Sequence, residues 1–383
     1  MRLIGRTLNQ IHSPIGAAHA LLGERTNDRA LLDLSQAAPS YPTAPEIADH
    51  IAAVARSADG GRYCPQQGLP ELVDVFAAEL SADYRGEVDP RQVLITAGCN
   101  QAFCLTVSAL ANPGDEIILP LPYYFNHDMW LRLEGMNPVH LPTGPDLVPD
   151  VTEAARLITD RTRAIVLVTP GNPSGVTVPP AIIHAFADLA ADRDVALIVD
   201  ETYRSFRSTT EPAHDLFARP GWDDHVISLH SFSKDLAIPG YRVGAVAGGP
   251  GLVAEVMKLL DCVAICAPRI GQEAVIAGLS RAGDWRRAQV ARIAAAQKIF
   301  EETAAQPGGF ELITAGAFFG WVRHPFEGES TESVVRRLVV DHDVLTIPGT
   351  AFTPTDERFI RFSFANLDSD DFAELGLRLG EMS

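Results

Sequence analysis

The sequence predicts an α/β protein: a doubly wound, mainly parallel sheet with a smaller α+β unit beside it. Three observations predict this. Short β-rich runs alternate with helical periodicity from about residue 90 to 260. Most of those runs are apolar nearly throughout, as strands are when helices cover both faces of a parallel sheet. At 383 residues the chain is too long for one compact core and suits two units.

The strand candidates are, in order, 92–96, 116–119, 138–141, 164–169, 195–199, 226–229 and 243–247. Helical stretches at 100–110, 180–191 and 252–262 separate several of them. Repetition of strand, helix and strand over this length implies the doubly wound architecture. In such a sheet, ligands bind where loops leave the strand ends. After Gly271 the pattern changes: a helical region over 272–302, rich in Ala, Arg and Gln, precedes strand-like pieces at 310–314, 318–323, 344–347 and 359–364. The expected division is a large α/β domain over 41–271 and a small α+β domain formed by 1–40 together with 272–383.

Composition narrows the function. A net charge of −18 leaves no basic face for phosphates, so a nucleic-acid partner is not expected. Any anionic ligand must be held by locally placed Arg, hydroxyl and backbone N–H groups. The five cysteines are odd in number and form no Cys-x-x-Cys pair, and the start, Met-Arg-Leu-Ile-Gly-Arg, does not read as a signal peptide. A reduced, cytoplasmic protein is expected. The 11 histidines lack metal-ligand spacing, and no apolar run is long enough for a bilayer span, so neither a metal nor a membrane role is expected.

The most informative residue is Lys234, in Ser228-Leu-His-Ser-Phe-Ser-Lys-Asp-Leu-Ala-Ile-Pro-Gly-Tyr-Arg242. It is one of three lysines in a chain whose other 28 basic residues are Arg. Lys258 and Lys298 lie in amphipathic stretches, where a solvated amine is the natural reading. Lys234 instead follows an apolar strand among small hydroxyl residues. An amine can lose its proton and condense with an aldehyde, which a guanidinium does not do.

Other candidates stand at neighbouring strand ends. Asp200 closes Val195-Ala-Leu-Ile-Val-Asp200, where it is either a helix N-cap or the counter-ion of a protonated ring nitrogen. Gly171-Asn172-Pro173-Ser174-Gly175 is a turn by composition, yet Asn172 can donate to a phenolate-type oxygen in the cleft, as can Tyr203. Thr96-Ala-Gly98-Cys99-Asn100 is a strand-to-helix junction whose free N–H groups suit a phosphate. Ser231 and Arg242 can serve the same anion. Pro122-Tyr123-Tyr124-Phe125 is an aromatic core cluster or a ring that stacks on a flat ligand. Arg361, between apolar neighbours in Arg358-Phe-Ile-Arg361-Phe-Ser-Phe, needs either a structural or a substrate carboxylate.

In their order and spacing these segments resemble the fold-type I, pyridoxal-5′-phosphate (PLP)-dependent aminotransferases of the class I/II group, from about Leu34 to Ala365. The resemblance implies that Lys234 carries the cofactor and that Asp200 pairs with its ring nitrogen, with Lys234, Asp200 and Tyr203 as the catalytic residues. It implies that Asn172 and Tyr203 hold the ring oxygen and that Tyr124 stacks on the ring. Gly98, Cys99, Asn100, Ser231, Ser233 and Arg242 would then surround the phosphate. Tyr63 would reach the neighbouring subunit's cofactor in a homodimer. Arg361 would take the substrate α-carboxylate, with Asn172, Tyr124 and Ala37 at the substrate. Ala37, in Gln36-Ala37-Ala38-Pro39, departs from the family, which commonly has Gly there; the added methyl narrows the mouth.

The expected activity is amino transfer from an L-amino acid to a 2-oxo acid, with neutral or aromatic side chains favoured because 11–19 offers apolar and imidazole groups over the mouth. Arg62 and Arg269 would overturn that preference if either pointed into the cleft. The alternative is a PLP-dependent lyase, decarboxylase or cyclase of the same fold. The resemblance also implies cis peptide bonds at Leu121-Pro122 and Asn172-Pro173.

Overall fold

The computed structural model describes residues 3–207, 209, 211–304 and 308–382. The seven expected strands all form: β1 (Val93–Thr96), β2 (Glu116–Pro120), β3 (Asn137–Leu141), β4 (Thr162–Val168), β5 (Ala196–Asp200), β6 (Val226–Ser231) and β7 (Gly244–Ala247). They make one sheet in the order β1-β7-β6-β5-β4-β2-β3. Only β7 runs against its neighbours, pairing antiparallel with both β1 and β6. The other pairings are parallel.

Strand periodicity splits the apolar runs between two cores. Ile165, Leu167, Leu197 and Val199 face one apolar cluster, which also contains Ile47, Phe76, Phe186 and Val275. Their alternates Ala164, Val166, Ile198 and Ile227 face another, with Phe103, Leu131 and Val256. Helices therefore cover both faces, which is why these strands carry almost no polar residues. Two of the covering helices, Pro45–Arg56 and Pro70–Asp83, begin with proline, whose missing N–H costs nothing at a helix start.

The second half departs from the expected elements in three places. The helical region over 272–302 is two helices, Arg269–Arg281 and Gly283–Ala304, broken at Ala282, which leaves helical geometry at φ −102° and ψ 26°. Gly283 follows it, and glycine is a poor propagator. The expected boundary after Gly271 falls inside the first of these helices, whose Ala274, Val275 and Ala277 belong to the large sheet's core. The piece at 344–347 divides: Val344–Leu345 pairs parallel with Leu32–Asp33, while Ile347–Pro348 joins another sheet. The run at 359–364 ends as a strand at Phe362 and continues as a 3₁₀ turn.

The other sheet is antiparallel. Its strands are β8 (Glu311–Gly316), β9 (Phe319–Arg323), β10 (Ile347–Pro348) and β11 (Phe359–Phe362), in the order β10-β11-β9-β8. Phe300, Phe319, Val335, Phe362 and Leu375 form its core with Leu32 and Leu34, so the N-terminal segment is tied to this part of the chain. Among the described residues no helix is long and apolar enough to cross a membrane, and no His/Cys/Asp/Glu group is placed to hold a metal ion.

Candidate active site at the carboxyl edge of the large sheet

Because β1 runs with β4, β5 and β6, their carboxyl ends share one edge. The antiparallel β7 brings its amino end, just after Arg242, to the same place. A cavity of about 480 Å³ opens there. Lys234, Asp200, Tyr203, Cys99, Asn100, Tyr124, Asn172, Ser231, Ser233, Arg242, Arg361 and Ala37 all line it. Gly98 lies immediately behind, at φ +87°, and a Cβ there would collide with the Arg242 guanidinium. Glycine at 98 thus lets an arginine lie across the start of the helix Cys99–Leu110. Tyr63 is not part of the cavity: it is 75% exposed on the surface of this chain.

Three cations (Lys234, Arg242 and Arg361) and one carboxylate, Asp200, line this cavity in a chain of net charge −18. Lys234 follows β6 in a turn, and its amine donates to the carbonyl of Ala37. Burial first, then the positive charges of Arg242 and Arg361, push its pKa down from 10.5 to about 8. Ser231 accepts the N–H of Ser233 at 3.2 Å, which shapes the same turn. Arg242, in left-handed geometry at φ 53°, donates to Pro239 O at 2.9 Å. The free first-turn N–H groups of the helix Cys99–Leu110 complete an anion-binding corner.

Asp200 ends β5, buried. His127 Nε2 lies 3.3 Å from one carboxylate oxygen. The other accepts the Thr202 N–H at 3.0 Å and the Cys99 thiol at 3.5 Å. Burial alone would raise this carboxyl, but the hydrogen bond and charge of His127, with Thr202, outweigh it and hold the pKa below the usual value. The same surroundings push the Cys99 thiol well up, through burial and then Asp200. His127 is itself stacked on Phe103, ring centroids 3.8 Å apart. Sequence reasoning missed His127. The available signal was a histidine in the first turn of a helix, Phe125–Glu134, that starts just after a strand-end aromatic pair.

Tyr124 donates to Asn126 Oδ1 at 2.8 Å and lies 3.4 Å from Asn100 Oδ1. Burial raises its pKa to about 12. Tyr203 packs edge-on to Phe319, and burial followed by the neighbouring Tyr124 pushes it well above 10. Arg361 lies between the rings of Phe319 and Phe352, 5.1 and 4.9 Å from their centroids. One terminal nitrogen donates to Asn172 Oδ1 at 2.9 Å, another to Ser35 O, and Nε has no partner. Burial lowers this guanidinium to about 10. No carboxylate among the described residues pairs with it.

Ser13, Ile15, Gly16 and Gln36 close the outer wall, so part of the 11–19 stretch does cover the mouth. His19 turns away to Ser35, at 3.3 Å. Arg62 pairs with Asp59 at 2.9 Å, and Arg269 donates to the carbonyls of Arg62 and Tyr63; neither lines the cavity. Leu121-Pro122 and Asn172-Pro173 are cis, as expected, and so is Thr169-Pro170.

The family description "Aminotransferase class I and II" matches residues 29–379, and the chain belongs to this family. It is a transferase that moves an amino group between an amino acid and a 2-oxo acid. Among its relatives is the aromatic aminotransferase ISS1 of Arabidopsis thaliana, 28% identical over 98% of this chain and 94% of that protein. A probable aspartate/prephenate aminotransferase of Thermus aquaticus is 30% identical over 88% of this chain and 87% of its own length. In fold, a single mutant of the Thermus thermophilus aspartate aminotransferase superposes with a TM-score of 0.91 over the whole of both chains, at 24% identity.

Proposed function

We propose that this chain binds pyridoxal 5′-phosphate in the cavity and transfers amino groups from neutral or aromatic L-amino acids to 2-oxoglutarate or pyruvate. The observation that carries this reading is that one cavity is lined both by the strand-end amine of Lys234 and by a buried arginine, Arg361, that has no carboxylate partner among the described residues. The donor set suits such a cofactor. The corner at Gly98, Cys99 and Asn100, with Ser231, Ser233 and Arg242, would hold its phosphate. Tyr124 offers a ring face, Asn172 and Tyr203 polar groups for its ring oxygen, and Asp200 a charged partner for its ring nitrogen. Bound there, the cofactor supplies the electron sink.

The chain's own residues do the rest. Arg361 fixes the α-carboxylate through a two-pronged pair. Lys234 Nζ, whose pKa burial and the nearby arginines bring down to about 8, would be the base that takes the proton from the substrate Cα. Asp200, its charge secured by His127 and Thr202, would be the partner of a protonated ring nitrogen. Where the N-terminal segment lines the cavity its residues, Ser13, Ile15 and Gly16, are neutral. That supports neutral or aromatic side chains over aspartate, although relatives carry both kinds of name.

We read the chain as a homodimer in which Tyr63 completes the partner's phosphate site; the exposed Tyr63, Val263 and Ile265 support a further interface. A large unit (41–271) and a small unit (1–40 with 272–383) are our reading of the domains, with the helix Arg269–Arg281 packed on the former. We place the protein in the reducing cytoplasm, consistent with its free cysteines. Single-turnover spectra against phenylalanine, methionine, alanine and aspartate, with product identification, test the reading. A kcat/KM for aspartate more than about tenfold above every neutral amino acid, about 1.4 kcal/mol in the transition state, would overturn the preference.

A further inference from the structure

Beside the turns that follow Lys234 and Tyr203 lies a chain of largely buried ions that the chemistry above does not use. Glu79, on the helix Pro70–Asp83, meets Arg286 at 3.1 Å and also pairs with Arg204. Arg286 stands at the start of the helix Gly283–Ala304 and reaches Asp235 at 2.6 Å. Asp235 is the residue after Lys234. Arg204 is the residue after Tyr203, and it reaches Asp83 at 2.7 Å. One carboxylate thus ties together two turns that carry site residues and the helix that leads into the second half of the chain.

We propose that Glu79 is a positioning residue for the transfer reaction: through Arg286 and Asp235 it holds the turn of Lys234, and through Arg204 it holds the turn of Tyr203. This rests on the reading of Lys234 given above. The geometry is that of a clamp. The side chains of Glu79, Arg204, Arg286 and Asp235 are all under one-fifth exposed, so none can be released to water without leaving a buried partner unpaired. Burial tends to raise Glu79, but Arg204 and Arg286 override it and hold the carboxyl near 2, so it stays charged throughout the working pH range. Burial, and then the positive charges of Arg242 and Arg361, act on the amine of Lys234. Glu79→Asp keeps the charge but shortens the side chain, so setting it beside Glu79→Gln separates movement of the turn from loss of the charge.

The test uses the PLP-loaded dimer and the variants Glu79→Gln, Glu79→Asp, Asp235→Asn and Asp83→Asn. Two readouts are taken: the pH at which the visible band of the bound cofactor changes, and the split between kcat and KM. A displaced lysine costs about ten- to a hundredfold in kcat, since errors near 1 Å reach that size. Glu79→Gln and Asp235→Asn should both show that loss, with a shifted band titration and KM within about threefold. Glu79→Asp, which keeps the charge, should recover part of it. Asp83→Asn, which alters the half-exposed end of the network, should lower melting temperature and leave the band titration in place. An unchanged titration and kcat in Glu79→Gln and Asp235→Asn, beside a normal wild type, would overturn the positioning role alone. Should Glu79→Gln fail to fold, Asp235→Asn decides by the same two readouts. A wild-type protein with no visible band in PLP would overturn the cofactor reading and this role with it.

Discussion

Replacing Arg361 with leucine should separate stability from activity. The guanidinium is buried with its pKa lowered from 12.5 to about 10, a shift that makes the charged form about 3 kcal/mol less favourable in the folded chain. The sign is that of a base depressed by burial: the cost is fully present below pH 10 and is relieved only as pH climbs from about 10 towards 12.5. Against it stand two hydrogen bonds, to Asn172 and Ser35, each about 1.5 kcal/mol for a charged donor, and two ring contacts of about 0.5 kcal/mol each. The terms nearly cancel, so Arg361→Leu should change unfolding free energy by no more than about 1 kcal/mol. Activity should respond differently. Truncating one side of a buried charged pair costs about 2–5 kcal/mol, which is roughly thirtyfold to several thousandfold in kcat/KM. The loss should be similar for alanine, methionine and phenylalanine, because all present the same carboxylate. Urea melts and steady-state kinetics read the two quantities independently. A variant that loses several kcal/mol of stability yet keeps kcat/KM within threefold would show that Arg361 is a structural cation.

The remaining predictions concern the amine, its counter-charge and the subunit boundary. Borohydride should fix the cofactor on Lys234 and not on Lys258 or Lys298, and Lys234→Ala should keep cofactor binding while losing turnover by several orders of magnitude. In cofactor-free protein, labelling of Lys234 by an amine reagent should rise with a midpoint near pH 8; because burial disfavours the charged amine, its unfavourable effect on stability is complete below pH 8 and fades between about 8 and 10.5. Asp200→Ala should leave a folded dimer with turnover reduced at least about a hundredfold, since it strips a buried charge of its partner, and near-normal turnover would reduce Asp200 to a helix cap. Mixed dimers of Lys234→Ala and Tyr63→Phe subunits should keep about half the wild-type activity, from one intact site; complete inactivity would put Tyr63 in its own subunit's site.

Much of the fold was legible because its signal is local. The runs that became β4, β5 and β6 are mostly apolar at successive positions, as strands covered on both faces are, and their short length argues against helices. Lys234, Asp200 and Asn172 stood out for the same reason: each is a polar residue where an apolar strand stops. Arg361 was legible as a charge between phenylalanine and isoleucine. The helices Pro45–Arg56 and Pro70–Asp83 went unread although their signals were present, proline at the first position and Leu72, Val73, Phe76 and Leu80 at helical spacing. The break at Ala282 was hidden because a single glycine weakens a helix by only about 1 kcal/mol and does not by itself mark an end.

What stayed hidden is the polar wiring, and two adjacent residues where β5 ends show why. Asp200 and Glu201 are consecutive carboxylates at one strand end, and strand geometry sends them to opposite sides of the sheet. Asp200 turns to the cavity and to His127, 73 positions back. Glu201 turns away, accepting from Tyr84 at 2.6 Å and Ser228 at 2.5 Å, with His214 at 3.4 Å. Burial would raise Glu201, but His214, His230 and Ser228 bring it far below the normal range, so it remains a buried anion. Burial also holds His230 neutral, its pKa pushed down to about 3 despite Glu201. The sequence shows two acids in a row and says nothing about which has a ligand to meet. Only the partners decide, and those partners are set by sheet order: Tyr84 arrives from the helix on one face, His127 from a helix on the other. Glu201 therefore acts as an anchor for the strand end, and by fixing β5 from behind it leaves Asp200 free to present its charge to the cavity.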